Sequence, residues 1–237
     1  METHAVPTGS TDRVMRIAVV MLVAASGAVE TISFTALDHV FAGVMTSNLA
    51  LLGMAIGQGR ATGVNAALLA LAGFGVGAAA VAWVTRGREG VATHWPSRVL
   101  SCLVAEAALL GVGAGAWAAV DGAPDATLRD VLQFGAALAM GAQAAAMVAA
   151  GRAAAPTTYL TGTLATYIVR GVGRSRRADG WVPARLGGLI VGAAGAMVLR
   201  GVAPAWAGAL PAVLVTVAVV LACGPLVKVR RGLVAPE

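Results

Sequence analysis

Apolar runs with almost no charge follow one another along nearly the whole chain, at residues 16–37, 40–57, 62–85, 98–119, 130–150, 157–169, 186–203 and 205–227. A helix rises about 1.5 Å per residue, so roughly 20 residues cross the ~30 Å hydrocarbon core of a bilayer. Six of the eight runs are long enough to do so. Only 12% of the residues are charged, against about 25% in an ordinary soluble domain. That leaves too little polar surface to cover a water-soluble fold of this length, and an all-α integral membrane protein is expected.

The other broad features fit that reading. Lysine and arginine number 17 against 11 acidic residues, but the arginines cluster between apolar runs, with no soluble domain to carry a basic groove. Nucleic acid is therefore not an expected partner; the lipid bilayer is. Cys102 and Cys223 both lie inside apolar runs, which points to neither a disulfide framework nor a cysteine zinc site. Arg13 and Arg16 precede an apolar stretch containing Ala24-Ala25-Ser26-Gly27-Ala28, a pattern that resembles a cleavable signal. The apolar pattern continues to Leu37, so the stretch is read as a retained span.

The second and sixth runs are unusual. Residues 157–169 are too short to cross a bilayer, and residues 40–57 carry Thr46-Ser47-Asn48 where a span would be most apolar. Val44-Met45-Thr46-Ser47-Asn48-Leu49-Ala50 also aligns without gaps on Tyr159-Leu160-Thr161-Gly162-Thr163-Leu164-Ala165, an offset of 115 residues. The same offset brings the run at 62–85 close to the seventh run. An internal duplication is expected, with a polar tail at 1–13, a first membrane repeat at 14–120, a polar loop at 121–130, a second repeat at 131–230 and a tail at 231–237.

Charge placement chooses between topologies. With the N-terminus inside and all eight runs spanning, 12 cations face the cytoplasm and 5 face outside. If the second and sixth runs enter and return on one side, Arg86, Arg88, Arg98 and Arg152 join the inside while Arg60 and Arg129 leave it, giving 14 against 3. The positive-inside rule selects the six-span arrangement, with both termini cytoplasmic. Three spans per repeat invert the second half relative to the first. In such architectures short discontinuous segments often line a site near the midplane.

Glu30 and Glu106 lie within spans, where a carboxylate costs a few kcal/mol and usually faces a cavity or the bundle interior. Thr46, Ser47 and Asn48, with Thr161, Gly162 and Thr163 at the related positions, offer hydroxyls, an amide and freed backbone groups to a solute or ion. Helix packing through small polar residues is the competing role. Gln143 is a further candidate for the same cavity, and Glu106 a possible intramembrane acid. Asp38 and His39 look like an acid and base pair, yet they sit just past a span end, where polar residues are ordinary, and no metal spacing or nucleophile accompanies them. The glycines at 73, 75 and 77 and at 111, 113 and 115 read as packing faces, lacking the strand and Lys-Ser/Thr of a nucleotide loop. The block from Arg170 to Arg185 is a topology signal that can also touch anionic lipid. Trp83, Trp95, Trp181 and Trp206 fall near run ends, as interfacial anchors do.

These residues carry a family resemblance. Gly27, Glu30, Phe41 and Met45-Thr46-Ser47-Asn48, then Gly141-Ala142-Gln143 and Thr158-Tyr159-Leu160-Thr161-Gly162-Thr163, follow in the order found in the YoaK family of bacterial membrane proteins, domain of unknown function 1275. The resemblance covers roughly residues 14–230. Glu30 stands where an aspartate is more usual, and Ser47 where a glycine is. The resemblance implies a membrane location and no substrate. The leading expectation is a non-enzymatic transporter or channel-like protein for a small solute or ion, using no cofactor or metal. The alternatives are a membrane scaffold or sensor engaging a partner through its basic loop and, ranked lowest, an intramembrane enzyme acting on lipid.

Overall fold

The computed structural model describes residues 9–86, 95–151, 157–158, 160–172 and 180–232. Eight α-helices follow in order among these residues: α1 (Gly9–Ala36), α2 (Met45–Gly57), α3 (Ala61–Thr85), α4 (Ser97–Ala118), α5 (Ala126–Ala149), α6 (Thr161–Val172), α7 (Trp181–Val202) and α8 (Ala209–Gly232). A single 3-10 turn at Pro204–Trp206 leads into the last helix. Six helical segments are long and apolar enough to cross a membrane: Asp12–Ala36, Ala61–Thr85, Ser97–Ala118, Ala126–Ala149, Trp181–Val202 and Pro204–Gly224.

The two short helices are the ones that the interrupted runs anticipate. With 13 and 12 residues, α2 and α6 extend about 20 Å and 18 Å, well short of a hydrocarbon core. The apolar run at 40–57 is helical only from Met45, and that at 157–169 only from Thr161. Helix α5 starts at Ala126, inside the segment expected to be a polar loop. Asp125 sets that start, its Oδ1 accepting from the Leu128 amide at 2.8 Å, as an N-capping aspartate does.

Close glycine contacts define the two principal crossings. On α3, a Cβ at Gly73 or Gly77 would overlap the backbone carbonyl of Phe134 or Leu138 on α5, and one at Gly141 would overlap Phe74. On α7, Gly188 and Gly192 approach Val20 and Ala24 of α1 in the same way, and Gly27 approaches Leu189. Small residues let membrane helices meet backbone to backbone, where dispersion and weak polar contacts replace the missing hydrophobic drive. The glycine pair on α3 stands 115 residues before the pair on α7, and Phe74 stands 115 before Leu189.

Contacts along the helices give their directions. Arg16 lies over the Trp181 ring at one end of the α1–α7 pair, and Arg200 donates to Thr35 at the other, so these helices run parallel. Between α1 and α5 the order reverses. Gln143 Nε2 reaches the Leu22 carbonyl at 3.4 Å, whereas Ser33 Oγ is 2.6 Å from Gln133 Oε1. Helix α1 is therefore antiparallel to α5. Helix α3 follows α5, since the order of contacts from Gly73 to Gly77 matches that from Phe134 to Ala142.

The core holds Leu22, Val23, Leu103, Met140 and Val215 at the centre of the bundle. Trp95 is buried in that core instead of marking an interface, while Trp83 and Trp206 are exposed. Trp117, also buried, joins the end of α4 to the start of the last span, donating from Nε1 to the Pro204 carbonyl at 2.7 Å.

Candidate functional site

The segment between α1 and α2 turns back along α1. Asp38 and His39 adopt positive φ values of 47° and 58°, a conformation that Asp and His tolerate better than most residues. This is their visible part in the fold. Burial pushes the Asp38 carboxyl above the ordinary carboxylate range, and Arg129, at 3.7 Å on α5, pulls it back only in part.

Glu30 then catches the returning chain. Its carboxylate accepts the amides of Ala42 at 3.0 Å and Gly43 at 2.7 Å. Glu30 stands six residues before the end of α1, so Gly43 lies about 9 Å inside that end. Asn48, fully buried on α2, completes the clamp. Its Oδ1 accepts from the Phe41 amide at 2.9 Å, and its Nδ2 donates to the Phe41 carbonyl at 2.6 Å. Ser33 Oγ lies 2.6 Å from both the Val40 carbonyl and Gln133 Oε1. With the Gln133 amide turned so that its NH2 faces Ser33, the hydroxyl donates to Val40 and accepts from Gln133.

A related arrangement precedes α6. Gln143 stands six residues before the end of α5, and its Nε2 donates to Thr157 Oγ1 at 2.8 Å. A polar side chain on a spanning helix thus holds the non-helical segment ahead of each short helix, a part-buried carboxylate in one case and a buried amide in the other.

Between the two short-helix starts lies a cavity of about 670 Å³. Ser26, Glu30, Thr31 and Thr35 of α1 line one wall, Gly43 to Thr46 and Leu160 to Gly162 form the two helix mouths, and Phe34, Phe41, Phe74 and Leu189 supply apolar surface. It extends along α1 from near the helix middle, at Ser26, to the rim at Thr35. Of the candidate residues read from sequence, Glu30, Thr46, Thr161 and Gly162 line it together. Ser47, Asn48, Gln143 and Thr163 are not among the lining residues, and the amides of Asn48 and Gln143 bond within the protein. Glu106 is elsewhere, buried on α4, and neither carboxyl oxygen has a hydrogen-bond partner.

Several residues at the site escape a reading of sequence alone. Ser26, Thr31 and Thr35 resemble the small polar residues that any packed membrane helix carries, and only their three-dimensional convergence singles them out. Thr158 lines the cavity, is 6% exposed, and leaves its hydroxyl without a partner. Its signal was its place in the Thr-x-x-Thr-Gly-Thr element. No group of three or more His, Cys, Asp or Glu side chains that could hold a metal occurs among the described residues.

Fold and cavity together define a multi-pass α-helical membrane protein with an open, largely apolar cavity that carries a few polar groups where two short helices begin. The chain belongs to the family described as Protein of unknown function (DUF1275), whose model matches residues 18–221. It is 34% identical over 148 residues to the UPF0700 transmembrane protein YoaK of Bacillus subtilis (strain 168). That alignment covers 62% of this chain and 63% of the relative, just under two thirds of the relative's own length. No solved structure matches.

Proposed function

We propose that the protein is a transporter or channel-like protein for a small solute or ion, built as two inverted repeats around this cavity. The observation that carries the reading is that the cavity is shared between the two halves. Helices α1 and α2 supply one side, α6 and α7 the other, with Phe74 of α3 between. The antiparallel course of α1 and α5 and the 115-residue relation between the two glycine crossings support inversion. They fit six spans with α2 and α6 re-entering from opposite sides, an architecture that places freed backbone groups around a solute. In this reading both termini face the cytoplasm, the host is a bacterial cytoplasmic membrane, and the chain performs no catalysis and uses no cofactor.

The test is flux in proteoliposomes across a panel of neutral, anionic and cationic solutes, comparing the unaltered chain with Glu30→Gln and Thr161→Val. A lining role predicts that each substitution slows flux of the transported solute by about tenfold or more, equivalent to about 1.4 kcal/mol. Flux indifferent to both, in protein that remains folded, would remove the cavity from the pathway.

A further inference from the structure

We propose that the cavity takes an organic carboxylate with an apolar body, its headgroup held where α2 and α6 begin; this specifies a substrate class for the site and rests on the transport reading above. The mouths of two helices longer than two turns open on one space. On α2 the amides of Ser47 and Asn48 close on the Val44 carbonyl, so helical geometry leaves those of Met45 and Thr46 at the mouth. On α6 the Leu164 amide closes on the Leu160 carbonyl, and the amides of Thr161 and Gly162 precede it at the mouth. Neither helix has an acidic residue in its first turn, and Val44 offers α2 no side-chain cap. A Cβ at Gly162 would meet nothing within 4 Å, so an anion can approach that backbone closely. Helix N-termini of this kind attract negative charge.

Two independent features point the same way. Thr158, nine-tenths buried at the cavity wall, holds a hydroxyl that is shut from solvent and unpartnered, and turning it about χ1 toward the cavity would give a ligand acceptor a hydrogen bond. Arg200, at the last turn of α7, bonds to Thr35 on the cavity rim and sets a cation at the entrance. Glu30 is the opposing charge among the described lining residues, and both its oxygens already accept backbone amides. The volume, and the walls formed by Phe34, Phe41, Phe74 and Leu189, suit a body larger than an inorganic ion.

The test is calorimetric titration of the full chain in lipid nanodiscs, with empty nanodiscs subtracted, using benzoate, its neutral counterpart benzamide, benzylamine and chloride. Benzoate is expected to bind about tenfold or more tighter than the other three, with Thr158→Val and Arg200→Gln each weakening it several-fold. Dodecanoate presents the same headgroup from the bilayer; Thr158-sensitive binding of either acid supports the proposal, and the tighter one assigns the route of entry. Benzamide or benzylamine binding as tightly as benzoate overturns it, as does binding indifferent to both substitutions. Flux of a neutral or cationic solute without carboxylate binding would sink this inference and spare transport. Carboxylate binding with no flux of any solute would do the reverse.

Discussion

Asn48 and Glu30 hold the same stretch of backbone by different means, Asn48 through Phe41 and Glu30 through Ala42 and Gly43. Asn48 makes both a donor and an acceptor bond to Phe41 in a fully buried position. Asn48→Ala leaves a buried amide and a buried carbonyl unpaired, at about 1–3 kcal/mol for each. It should lower the thermal unfolding midpoint in detergent markedly, whereas Ser47→Ala on the same turn should shift it little. Glu106 poses the opposite case. A carboxyl buried on α4 without a partner destabilises the fold it sits in. Glu106→Met, similar in size and free of that penalty, should raise the midpoint; a fall would reveal a polar interaction on which the bundle depends.

At the scale of elements, the glycine crossings are where a single methyl matters most. Gly77→Ala and Gly192→Ala each drive a Cβ into a carbonyl of the facing helix, and overpacking of this kind costs about 1–3 kcal/mol. The controls are Gly75→Ala and Gly187→Ala, whose added Cβ atoms meet nothing within 4 Å. Thermal unfolding of the four variants should divide them cleanly by face. Alternate glycines on one helix therefore do different jobs, which the sequence pattern alone does not reveal. Apolar length made the six spans readable, and the polar triplets exposed the two short helices, because both are one-dimensional signals. Less of the site was readable in advance. Glu30, Thr46, Thr161 and Gly162 stood out as polar groups in apolar runs, but Asn48 and Gln143 carried the same signal and turned inward to backbone and side-chain partners. Nothing local distinguishes an amide that lines a cavity from one that clamps a turn. Arg200 falls inside the apolar run at 186–203 and drew no notice in sequence, and only the parallel packing of α7 on α1 brings it to the rim.

For the whole molecule, the proposed inverted arrangement makes a claim about sidedness that a thiol reagent can read. On a background with Cys102 and Cys223 replaced, Arg60→Cys and Ala123→Cys should label from outside with an impermeant maleimide in intact cells. Ser97→Cys and Gly180→Cys should label only after lysis. All four positions are exposed. The reverse pattern at 60, 123 and 97 would mean eight crossings and parallel halves. The two halves also differ in one respect that their common plan conceals. Helix α2 lies along α3 over much of its length, while α6 shares little surface with α7. One of the two doors to the cavity is thus bolted to its frame and the other merely leans on it. Amide exchange should run faster in α6 than in α2, and in the proposed transport cycle the side on which α6 stands is the side that yields first.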